Sequence, residues 1–132
     1  MFDVGDIVQI FAPQAGKVKY HLCISVGVQG AAHQFIYLNS DPNFDQTFVC
    51  DCKKIPCLPE SKTGKTAFSF AILPRYTDAQ LKLYNAKKLG VLDAALAIEV
   101  HKVATTAKTM TSVERKIVLT ALEAIIKSGA GA

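Results

Sequence analysis

The sequence predicts an α+β fold, with a small antiparallel strand-rich part first and helices after it. Three observations predict it. Short apolar stretches of period two, separated by turns containing Gly, Pro and Asn, occupy about the first 75 residues. From Thr77 onward, capping signals and helical spacing take over. A chain of 132 residues has room for one core, not two. The expected organisation is a single domain: a strand-rich barrel over residues 1–76, a helical extension over 77–127, and a frayed tail over 128–132.

Gly5 frees the backbone before the first strand, residues 6–11. A loop follows, its ends set by Pro13 and Gly16. Residues 19–26 then alternate strictly: Tyr20, Leu22, Ile24 and Val26 on one side, Lys19, His21, Cys23 and Ser25 on the other. One side is greasy enough to bury, and the other carries chemistry. Gly27 and Gly30 turn the chain into a third strand over residues 33–38. Asp41-Pro42-Asn43 reads as another turn and residues 47–51 as a strand. Pro56 and Pro59 make an irregular edge, and residues 66–73, closed by Pro74, form the last strand expected. Thr77 and Gln80 compose a capping box for a helix over residues 78–87 that ends at Gly90. Asp93 caps a second helix, striped by Leu96, Val100, Val103 and Ala107. Thr111 and Glu114 open a third, striped by Val118, Leu122, Ile125 and Ile126.

Fifteen Lys and Arg against eleven Asp and Glu leave a charge of +4, which permits an acidic partner without requiring one. Only Arg75 and Arg115 are arginines, so any phosphate contact falls to Lys and to backbone N–H groups. No apolar run approaches the roughly 18 residues of a membrane span. The first six residues carry two acids and no basic region, so no secretory signal is expected and the chain is read as cytoplasmic. Disulfides are then not expected among Cys23, Cys50, Cys52 and Cys57. Cys50, Cys52 and Cys57 with His21 or His33 compose a metal reading. The gap between the paired thiols is one residue rather than the usual two, which favours small apolar fillers and no cofactor. Gly64-Lys65-Thr66 lacks the earlier Gly of a phosphate loop, whose place is taken by Pro59, and an extended stretch follows it.

Taken together, Gly5-Asp6-Ile7-Val8, a Gly-containing loop, a basic residue opening a hydrophobic strand that ends in Ser, and Leu38-Asn39-Ser40 closing the next strand resemble the PemK/MazF-like toxins of bacterial toxin–antitoxin pairs. The resemblance spans roughly residues 4–75. Lys19-Tyr20 stands where that family has Arg-Pro, and the helical part is longer than such toxins carry. The resemblance implies a half-open SH3-like antiparallel barrel followed by about three helices. It also implies a homodimer, neutralisation by a small antitoxin protein, and metal-free cleavage of single-stranded RNA. By position it puts Lys19 and Ser40 on the scissile phosphate.

Metal-free cleavage needs a group for the 2′-hydroxyl proton, charge for the crowded phosphate, and an acid for the leaving oxygen. His21, on the face of Lys19, is the candidate for proton transfer; the competing reading is a core imidazole bonded to a neighbouring element. Ser40 is either a phosphate-positioning hydroxyl or a turn former. Lys17, Lys53, Lys54, Lys62 and Lys65 are candidate RNA contacts, or a solvated rim. Tyr37, Phe44 and Phe48 are stacking candidates, or core aromatics. His33 and His101 have no evident partner. Two other functions are open: a non-catalytic SH3-like module binding protein or nucleic acid, and a toxin that poisons a protein target such as a topoisomerase.

Overall fold

In the computed structural model, which describes residues 1–40 and 48–129, seven antiparallel strands and three helices build an α+β domain. The strands are β1 (Asp6–Ala12), β2 (Lys17–Ser25), β3 (His33–Asn39), β4 (Phe48–Asp51), β5 (Lys65–Ser69), β6 (Arg75–Tyr76) and β7 (Lys87–Val91). The helices are α1 (Asp78–Leu83), α2 (Ala94–Thr106) and α3 (Ser112–Ser128). The sheet runs in the order β4-β5-β3-β2-β1-β7, and the short β6 adds to the far end of β3.

The alternating stretch is the middle of this sheet. Leu22 and Ile24 of β2, Ile36 and Leu38 of β3, and Phe68 of β5 face α2 and α3, whose Leu96, Val100, Val118, Leu122 and Ile125 close a large apolar core. Of the expected stripes, Leu96, Val100 and Ala107, and Val118, Leu122 and Ile125, are buried, while Val103 and Ile126 pack against the core half-buried. Asp93 caps α2 by accepting from the N–H of Ala95, and Thr111 with Glu114 forms the reciprocal box at α3.

The other face of β2 is not open to solvent. His21 and Cys23 are fully buried there, in a second cluster with Phe2, Val8, Ile10, Phe35, Tyr76 and Leu81. The period-two pattern separates the faces but carries no sign that the N-terminal segment and α1 will cover the second one.

The helix expected over residues 78–87 stops at Leu83. Its start is as expected, with Thr77 and Gln80 exchanging capping hydrogen bonds. Asn85 takes a left-handed conformation (φ 53°) and the N–H of Ala86 returns to Leu81. Residues Lys87–Val91 then leave as β7, which pairs with Asp6–Gln9 of β1. An open sheet edge offers unpaired N–H and C=O groups along its whole length, and that outweighs one more helical turn. The helical part therefore contains a strand and is not a separate appendage. Gly90 is required where it stands: a Cβ there would lie 2.9 Å from both Cβ and Sγ of Cys57. The strand expected over residues 66–73 is likewise shorter, ending at Ser69, while Arg75 and Tyr76 pair with Gln34 and His33. The turn at Asp41-Pro42-Asn43, the aromatic Phe44 and the first residue of the strand expected at Thr47 lie outside the described residues.

Candidate functional site

Register decides which side chains share a face. His21 lies opposite Tyr37, and Tyr37 opposite Ser69. Lys19 and Asn39 stand two residues further along β2 and β3, so all five belong to one face. Where α1 no longer covers that face, a cavity of about 290 Å³ opens. Lys19, Tyr37, Asn39 and Ser69 line it together with Gln14 and Ala15 of the β1–β2 loop, Ala12, Ala71 and Ile72.

Behind the cavity sits an aromatic assembly. The His21 ring lies 4.9 Å from that of Tyr37 and 5.6 Å from that of Tyr76, centroid to centroid. The Tyr76 hydroxyl and His21 Nε2 share a hydrogen bond at 3.3 Å. Burial, followed by the neighbouring phenol of Tyr37, pushes the Tyr76 phenol well above its ordinary range, so it keeps its proton. Burial lowers the His21 pKa to about 4; the nearby carbonyls of Lys19 and Val8 oppose the shift, and the Lys19 charge adds a little to it. Among the described residues His21 Nδ1 has no hydrogen-bond partner. His21 is a neutral core imidazole at physiological pH, not a surface base.

Ser40 follows Asn39 and so belongs to the opposite face, two residues beyond Leu38. It lines a different cavity of about 340 Å³, with Lys17, Tyr20, Ser61, Lys62 and Thr66. Its carbonyl accepts the Thr63 hydroxyl at 2.7 Å, tying the loop before β5 to the end of β3. Lys19, His21 and Ser40 therefore do not converge: one lines the first cavity, one is buried behind it, and one lines the second. Of the other lysines, Lys17 and Lys62 line the second cavity. Lys53 and Lys54 occupy a short 3₁₀ turn at Cys52–Lys54, where Lys54 pairs with Glu99 at 3.6 Å. Lys65 opens β5 opposite Asp51.

The remaining candidates have structural places. His33, buried at the start of β3, accepts from the N–H of Gly27 at Nδ1 and meets Asp78 of α1 at 2.6 Å through Nε2. His101 is half-buried on α2. Phe48 packs edge-on against Phe68 at the apolar core. The four cysteines are free thiols, and burial pushes Cys23 up to about 11 and raises Cys50 and Cys57. Among the described residues no three His, Cys, Asp or Glu gather to hold a metal ion, and no helix is long and apolar enough to cross a membrane.

Asn39, Ser69 and Gln14 are the site residues that sequence reasoning did not single out, and Tyr37 reads there only as a stacking candidate or a core aromatic. The available signal was parity: once β2 and β3 pair with His21 opposite Tyr37, Asn39 and not Ser40 shares the face of Lys19. No family description matches this chain, and neither the curated proteins nor the solved structures yield a match.

Proposed function

We propose that this chain is a toxin-like endoribonuclease of the PemK/MazF kind, cutting single-stranded RNA without a metal at the cavity beside Lys19. One observation carries the reading: a cationic strand end, a phenol and a hydroxyl from three adjacent strands meet in a single cavity at the end of an antiparallel sheet. In the reaction, the 2′-oxygen forms a bond to phosphorus while the bond from phosphorus to the 5′-oxygen breaks. The 2′-hydroxyl loses a proton and the departing oxygen gains one. Lys19 offsets the charge that builds on the phosphate. The 2′-proton passes to solvent water, Tyr37 gives its phenol proton to the departing 5′-oxygen and regains one from water, and Ser69 hydrogen-bonds a phosphate oxygen. A half-open SH3-like barrel, a homodimer, a cytoplasmic location and a small antitoxin partner belong to the same proposal.

Purified protein incubated with a long unstructured RNA in chelator is expected to cut it. Lys19→Ala lowers the rate by about 100-fold or more, the usual loss when one charge-stabilising group is removed. Tyr37→Phe also slows it, and Ser40→Ala leaves it near wild type. Intact RNA with the wild-type protein overturns the proposal.

The burial of His21 favours a second reading. With no imidazole lining the cavity, the same surface serves a non-catalytic module that binds single-stranded RNA. RNA retained but uncut in that assay selects it.

A further inference from the structure

We propose that the cavity beside Lys19 also holds one nucleobase and selects it through Asn39 and Gln14. The inference rests on reading this cavity as an RNA site. Its starting point is Ile72, a large apolar side chain left 67% exposed at the cavity wall, in the segment between β5 and β6. Nothing in the core accounts for it. With Ala12, Ala15 and Ala71 it makes most of the wall apolar, which suits the flat face of a base. The two carboxamides sit in that same wall, one from the end of β3 and one from the β1–β2 loop. Each offers a donor beside an acceptor, the pairing that reads the edge of an unstacked base. Lys19 completes the match by placing positive charge where the phosphate of that nucleotide must lie. At about 290 Å³ the cavity is at the small end of ligand pockets, room for one ring system beside the phosphate that Lys19 and Ser69 hold.

Base contacts specify and phosphate contacts do not, so the variants should separate. The probe is a set of four fluorescent 2′-deoxy trinucleotides, of adenine, cytosine, guanine and uracil, titrated into the full chain in chelator. Without a 2′-hydroxyl they cannot be cut, so binding is read apart from cleavage. Wild type is expected to favour one base by at least about fivefold. Asn39→Ala or Gln14→Ala should flatten that preference. Lys19→Ala should weaken all four trinucleotides while preserving their ranking, and Ile72→Ser should weaken all four by about fivefold. Gln14 and Ile72 are exposed, so their variants decide the question even if Asn39→Ala does not fold. Equal binding of the four within about twofold, no measurable binding, or an Ile72→Ser protein that binds like wild type overturns the inference. A base preference with uncut RNA sustains this pocket and removes the nuclease. Cut RNA with no preference does the reverse.

Discussion

The two faces of β2 differ in kind, although the same nine residues build both. The face toward α2 and α3 packs Leu22 and Ile24 into a core closed by two helices of 13 and 17 residues carrying branched side chains. The face toward α1 is covered by a six-residue helix and the N-terminal segment, and its fillers are rings and a thiol beside Val8, Ile10 and Leu81. Both covers stop short of the same strand end, where Lys19 lines the first cavity on one face and Tyr20 the second on the other. The cavity beside Lys19 lies where the shorter cover stops.

Neighbouring residues on opposite faces sharpen that contrast most. Leu22→Ala should cost about 2–5 kcal/mol in denaturant unfolding, because it opens a void between the sheet and both long helices. Cys23→Ala, one residue along and equally buried, removes a single sulfur and should cost about 1 kcal/mol. Equal losses would mean the two layers are packed alike.

The pH dependence of stability comes next in size, and its part between pH 6.5 and 4 that His21 carries belongs to the ring-lined face. His21 has a folded pKa of about 4 against 6.5 for the unfolded chain. Above pH 6.5 both states are neutral at this site and its neutral burial is fully favourable. As pH falls from 6.5 toward 4 the unfolded chain takes the proton first, so stability declines, by about 3 kcal/mol at most. His21→Leu should remove that decline while leaving the contribution of carboxylates at lower pH. An unchanged slope between pH 6.5 and 4 in the variant would show that the imidazole is not buried neutral. The smallest effect is at the rim of the other layer, where Thr111→Ala should cost about 1 kcal/mol through loss of the α3 cap, read as a lowered melting temperature.

Much of this architecture was legible from residues alone. Period two placed the middle strands, hydroxyl and amide pairs placed the helix starts at Thr77 and Thr111, and the α2 and α3 stripes face the core as expected. What stayed hidden depended on contacts between distant segments. Lys87 to Val91 has no strand signature of its own and becomes a strand because β1 has a free edge. The strand pattern of His21 leaves a proton-transfer group and a core imidazole both open, and the rings of Phe35, Tyr37 and the distant Tyr76 packed against it decide for the core. The site failed on parity. Choosing Ser40 over Asn39 as the partner of Lys19 is a shift of one residue, and in a strand one residue is a change of side.

β7 has a bearing on how the protein can be handled. It is supplied from beyond α1, yet it seals the outer margin of the first strand, with Leu92 bonding back to Gly5 and Tyr84 to Phe11. Trimming the chain after the first helix would bare a row of ladder groups on β1 together with the apolar side once roofed by α2 and α3. The shortened product would self-associate instead of yielding a minimal barrel.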